Sequence, residues 1–138
     1  MGISLEFAVN RIRSLLEQPE IKKLYYPFNN FPVVACDDAS RILSYVLREK
    51  ELGDWDVIFG EQKIPYETHV WLQRGEVIID ITADQLDPTI KKWIDTTANP
   101  DSPIKKFNYK GCIASKDVKQ SLGGLGTARV LREIMERL

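Results

Sequence analysis

The stretch that most constrains the fold runs from Tyr66 to Thr82. Tyr66-Glu67-Thr68-His69-Val70-Trp71-Leu72 and Val77-Ile78-Ile79-Asp80-Ile81-Thr82 flank Gln73-Arg74-Gly75-Glu76. That layout predicts a hairpin over residues 67–82, two short strands joined by a tight turn. Side chains alternate across a strand pair with a period of two. Val70, Leu72, Val77 and Ile79 therefore share one wholly apolar face, which must lie against a core. A two-residue loop at Arg74-Gly75, or a four-residue loop from Gln73 to Glu76, pairs Leu72 with Val77, Trp71 with Ile78, Val70 with Ile79, and His69 with Asp80. Directly opposed residues hold their Cβ atoms about 4.5–5.5 Å apart. The only histidine of the chain is thus expected beside a carboxylate. A three-residue loop would slip the register by one and send the two to opposite faces.

Elsewhere the pattern is helical at both ends. Leu5, Ala8, Ile12, Leu15 and Leu16 make one stripe over residues 3–17, with Arg11, Arg13 and Glu17 pointing away and Pro19 as the limit. Residues 21–35 read as an irregular, aromatic-rich loop. Ala39, Ile42, Leu43, Val46 and Leu47 form a buried stripe on a helix from about Cys36 or Asp37 to about Lys50. Cys36 extends that stripe toward the N-terminus. Trp55 to Phe59 reads as a strand ending at Gly60, and a loop with Pro65 leads into the hairpin. Asp84 to Ile94 reads as a short helix with Ile90, Trp93 and Ile94 inward. A loop follows over 95–105, then a strand from Phe107 to Ala114. The glycines at 123–126 complete no phosphate-loop motif and read as a flexible link to a final helix, 127–138. The expected class is α+β, with a core helix packed on a mainly antiparallel sheet.

At 138 residues the chain is expected to be a single domain, 1–138. A net charge of −1 offers no electrostatic reason to expect a nucleic-acid partner. No apolar run approaches the ~20 residues needed to span a bilayer. The N-terminus lacks the basic and apolar regions of a signal peptide, so a cytoplasmic location is expected, with export by a dedicated secretion machine left open. Two cysteines make no disulfide framework, and with one histidine they cannot readily build a closed zinc site. No cofactor is expected, and the oligomeric state is open.

Cys36 alone would read as a small buried apolar side chain. Its company changes that reading. A thiol at a helix N-terminus meets the positive end of the macrodipole and unpaired backbone N–H groups, and both favour thiolate. His69 is the one available base, and Asp80 would orient its ring. Cys36, His69 and Asp80 are therefore the expected nucleophile, base and orienting carboxylate. The backbone N–H groups of Cys36 and Asp37 are candidates to receive an oxyanion. Asp37 and Asp38 favour helix initiation, but their charges oppose thiolate formation, and their effect depends on whether they point to solvent. Trp71 shares the face of His69, as a shield for the imidazole or as core. Gln85 lines the cleft or caps the following segment. Cys112 reads as structural.

This arrangement resembles the papain-like thiol enzymes, and within them the transglutaminase-like branch. The carrying residues are Cys36-Asp37-Asp38-Ala39-Ser40 opening a helix, His69-Val70-Trp71-Leu72 on one strand, and Ile78-Ile79-Asp80-Ile81-Thr82 on the next. The whole looks like small bacterial transglutaminase-like peptidases, including those that cleave leader peptides, and the likeness covers residues ~30–86. It implies a cysteine hydrolase attacking a peptide or isopeptide bond of a peptide or protein substrate through a thioester. Glutamine deamidation and acyl transfer to an amine would use the same triad, and an inactive interaction module could keep the same fold. Papain-like enzymes often place an oxyanion-stabilising glutamine shortly before the cysteine. The nearest amides here are Asn29 and Asn30, either oxyanion donors or turn residues. Ala35 and Asp37 flank Cys36 where transglutaminases proper often carry tryptophan, which disfavours acyl transfer. The aromatic loop 25–31 is a candidate wall of the substrate cleft.

Overall fold

The structure is a computed structural model that describes residues 2–32 and 35–138. Helix α1 spans Leu5–Leu16, and the hydroxyl of Ser4 accepts from the Phe7 N–H at its start. Pro19 opens the short helix α2, Pro19–Lys22. Helix α3, Cys36–Glu49, buries Ala39, Ile42, Leu43, Val46 and Leu47, the stripe its spacing predicts. Strands β1 (Asp56–Lys63), β2 (Tyr66–Arg74), β3 (Val77–Ile79), β4 (Ile94–Thr96) and β5 (Asn108–Ile113) form one sheet in the order β4-β3-β2-β1-β5. Every neighbouring pair is antiparallel. Helices α4 (Val118–Ser121) and α5 (Leu125–Arg137) close the chain. The architecture is α+β. Among the described residues no helix is long and apolar enough to cross a membrane.

The sheet is covered on both faces. Val57, Val70, Leu72 and Ile79 join α1, α3 and α5 in the main core. On the other face Trp71 and Ile78 pack with Ile104 and Phe107, which the segment before β5 folds over the sheet. Two serines tie α3 to the strands: Ser44 Oγ donates to the Trp55 carbonyl at 2.6 Å and Ser40 Oγ to the Val70 carbonyl at 3.3 Å.

Several expectations need correction. The strand from Trp55 does not end at Gly60 but continues to Lys63, with its register against β5 shifting between Phe59 and Gly60. Pro65 lies in the two-residue connection from Lys63 to Tyr66, which are paired. The helix expected over 84–94 is a single turn, Ala83–Gln85, followed by irregular chain and β4. Pro88 removes a donor and restricts Asp87. The Asp87 carboxylate then accepts from both the N–H and the hydroxyl of Thr89, closing a local turn in place of a helix. Helix α5 begins two residues before the expected position. Gly126 belongs to it, and a Cβ there would lie 2.6 Å from the Tyr25 ring, so this glycine serves close packing and not a flexible link. In the aromatic loop, Phe28 and Phe31 are buried in the core, which leaves Tyr26 exposed. The irregular stretch expected over 21–35 contains the end of α2 and a turn at Tyr26–Phe28, while Val33 and Val34 lie outside the described residues. Arg13 does not point to solvent. It is buried, with only 6% of its surface exposed.

Candidate active site

His69 lies in the middle of β2, where that strand runs past the end of β3. On one side β2 pairs with β1 throughout, and His69 faces Gly60. On the other, the β3 ladder covers only Leu72 to Arg74. The expected register is not the observed one. Leu72 pairs with Ile79, Gln73 with Ile78, and Arg74 with Val77. The turn residues are Gly75 and Glu76, and Gly75 has φ +60°. A glycine with positive φ at the first central position is what a type II′ hairpin turn requires. The register is displaced by two residues, so each side chain keeps its face. Asp80 is thus a diagonal neighbour of His69 and not its direct partner, which still leaves it within reach of the imidazole.

The geometry of that pair is tight. His69 Nε2 and Asp80 Oδ2 are 2.8 Å apart, and both residues are at least 95% buried. The second carboxylate oxygen, Oδ1, accepts from the N–H of Thr82 at 3.1 Å and from its hydroxyl at 3.2 Å. The Asp80 N–H donates to the Trp93 carbonyl at 2.8 Å, which fixes the backbone. The Asp80 side chain therefore has three partners and one orientation.

Two aromatic rings that also touch each other, 6.3 Å between centroids, lie beside the imidazole. Phe107 stacks on it at 5.8 Å between ring centroids, and Trp71 at 6.4 Å. Opposite His69, Gly60 leaves room for these rings. A Cβ on Gly60 would lie 2.6 Å from Trp71 Cη2 and 2.8 Å from Phe107 Cβ. Trp71 and Phe107 continue into an apolar cavity of about 290 Å³ on the same sheet face, lined also by Ile58, Ile78, Ile104 and Tyr109.

Cys36 is the first residue of α3 and is partly exposed. The Ser40 bond to the Val70 carbonyl secures the first turn of α3 to the strand position next to His69. Burial works against a charged imidazole. The hydrogen bond to Asp80 and the negative charge available on Asp80 and on nearby Cys36 outweigh it and push the histidine up to about 9. With Nε2 engaged by Asp80, Nδ1 is the ring nitrogen left to serve the thiol. The structure joins His69 to Asp80 and places Cys36 close enough to help raise the imidazole's midpoint.

Ala35 supplies no side-chain cap to α3, and among the described residues nothing accepts from the N–H groups of Cys36 or Asp37. They remain available for an anion. The two acidic neighbours are accounted for. Asp37 pairs with Arg41 one turn along the helix. Asp38 accepts from the Tyr25 hydroxyl at 3.1 Å, and burial pushes its carboxyl up toward the neutral form. Asn30 is exposed in its turn and makes no side-chain hydrogen bond among the described residues, so nothing brings it to the triad. Gln85 sits in the turn after Asp80 with its side-chain nitrogen buried and unpartnered among the described residues. Cys112 is exposed on edge strand β5, with β1 between it and β2. Among the described residues no group of three His, Cys, Asp or Glu side chains is placed to hold a metal.

Sequence reasoning missed Phe107, Gly60, Thr82, Ser40 and Arg13. Only Thr82 had a local signal, since an aspartate followed two residues later by a threonine is a turn-forming pair. No family model, curated protein or solved structure matches the chain.

Proposed function

We propose that this protein is a papain-like cysteine hydrolase of the transglutaminase-like kind, acting on an amide bond of a peptide or protein. The observation that carries the reading is the buried 2.8 Å contact of His69 with Asp80, made by an imidazole whose protonation Cys36 is near enough to favour. An imidazolium beside a thiol at a helix N-terminus favours the thiolate. The Cys36 sulfur attacks the carbonyl carbon, and the backbone N–H groups of Cys36 and Asp37 receive the oxyanion. His69 gives a proton to the leaving amine as the C–N bond breaks, and Cys36 is left as a thioester. His69 then takes a proton from water, whose oxygen attacks the thioester and releases the acid and the thiol. Asp80 holds the ring in place throughout and stabilises its charge whenever it is protonated. The pairing of Asp37 with Arg41 and of Asp38 with Tyr25 removes the main objection to a thiolate at Cys36.

The test is the pH dependence of Cys36 alkylation by iodoacetamide in a Cys112→Ser background, with and without His69→Ala. The expected outcome is rapid alkylation at neutral pH that moves to higher pH when His69 is lost. A thiol of ordinary reactivity, indifferent to His69, would remove the basis for a nucleophile. Screening of peptide and glutamine amides with and without added amine then separates hydrolysis, deamidation and acyl transfer by product.

A further inference from the structure

Arg13 is a buried charge that the triad chemistry does not use. It lies on α1, far in sequence from any residue of the site, yet its guanidinium meets the segments that carry the site. Nη1 and Nη2 pair with the two carboxylate oxygens of Asp84, each at 2.8 Å. Nη1 also donates to the Ile81 carbonyl, the residue directly after Asp80. Glu17 closes the remaining side at 2.7 Å. The guanidinium plane is flanked by two rings: Trp93, 4.6 Å to the centroid, and Phe31, 4.9 Å. Trp93 is the residue whose carbonyl accepts from the Asp80 N–H. Phe31 belongs to the loop that leads toward Cys36.

Each contact limits a different freedom. Asp80 lies beyond the end of β3, so the strand ladder does not hold its backbone. Its position rests on the Trp93 carbonyl that its N–H meets and on the 81–84 segment that follows it; Arg13 bonds to that segment and lies against the Trp93 ring. A planar guanidinium can bond to two groups in its edge and stack on two rings at once, which an ammonium cannot do.

We propose that Arg13 is a positioning residue for the triad, holding Asp80 against His69 by clamping Ile81, Asp84 and Trp93, and tying that clamp to the loop before Cys36. The proposal rests on the reading of Cys36, His69 and Asp80 as a catalytic triad.

The test uses the single histidine of the chain as its reporter. The imidazole is titrated by NMR in the parent chain and in Arg13→Lys and Arg13→Met. Arg13→Lys keeps the charge and loses the fork, so any change reports geometry. The expected result is a fall of the His69 midpoint by about one unit or more, a tenfold change in its protonation equilibrium. Arg13→Met loses the clamp as well and is also expected to lower the midpoint, by less where the lost charge pulls the other way. Loss of a nearby cation acting through charge alone would raise a histidine midpoint, so the sign separates the two causes. Folded variants, checked by circular dichroism and urea unfolding, whose His69 midpoint is unchanged or raised would overturn the proposal. If Arg13→Met does not fold, Arg13→Lys decides. Cys36 alkylation in the parent chain decides the hydrolase reading separately: a fall in the His69 midpoint beside an unreactive Cys36 would support the clamp and defeat the hydrolase.

Discussion

Asp80→Asn keeps the shape of the carboxylate and removes its charge. His69 is pushed from 6.5 to about 9 by Asp80 and Cys36 against the opposing effect of burial. At about 1.4 kcal/mol per unit, that shift corresponds to stabilisation of about 3 kcal/mol. The sign follows from linkage. A histidine whose midpoint is raised on folding contributes its full stabilisation below its unfolded value, near ~6.5, and loses it as pH rises through about 9. With urea slopes of ~1–3 kcal/mol per molar, the parent midpoint should fall by roughly 1–3 M over that window from this group alone. In Asp80→Asn the burial and Cys36 remain and the carboxylate charge does not, so the imidazole should titrate well below the parent's value of about 9. Urea unfolding of parent and variant at several pH values between 6 and 9.5 gives the difference, in which other titrating groups cancel. The stability gap should be widest at the acid end and narrow toward pH 9. An NMR midpoint near ~6.5 for the parent imidazole, or a gap that does not narrow, would refute the buried ion pair.

Three other perturbations follow from the same packing. Gly60→Ala places a methyl group against Trp71 and Phe107, and overpacking of this kind costs about 1–3 kcal/mol; urea unfolding reads the loss, and near-ultraviolet circular dichroism should report the displaced rings. Ser40→Ala removes the bond to the Val70 carbonyl and should cost ~1 kcal/mol in urea unfolding. In a Cys112→Ser background it should also slow Cys36 alkylation, because the first turn of α3 is no longer secured beside β2. Thr82→Val keeps the volume but removes one of two donors to Asp80 Oδ1, at a cost of about 1–3 kcal/mol by thermal or urea unfolding; an unchanged stability would show that this hydroxyl does not serve the carboxylate.

Local periodicity made the helices and the faces of the hairpin legible. The stripe on α3 and the alternation of His69, Trp71 and Asp80 against Val70, Leu72 and Ile79 both follow from backbone geometry that acts within a few residues. That is why the His69–Asp80 pairing survived an error in register. The turn sits at Gly75-Glu76 and not at Arg74-Gly75, but a shift of two residues preserves the face of every side chain. Which rungs meet was decided by the positive φ at Gly75 and by how the strands settle on the core. The helix expected over 84–94 failed for a local reason, the turn that Asp87 and Thr89 close around Pro88.

The amino-acid sequence by itself determined the α+β class, the buried helix that begins at Cys36, and the candidate nucleophile, base and carboxylate. Tertiary structure alone decided what surrounds them. Phe107 stacks on His69 from another strand region, Gly60 makes room for it from the neighbouring strand, and Arg13 reaches Asp84 across 71 residues. An arginine on a helix surface and an arginine gripping a loop look alike in one dimension. Only the packing of α1 against the chain beyond Asp80 removes the guanidinium from water, and a charge so removed must find partners.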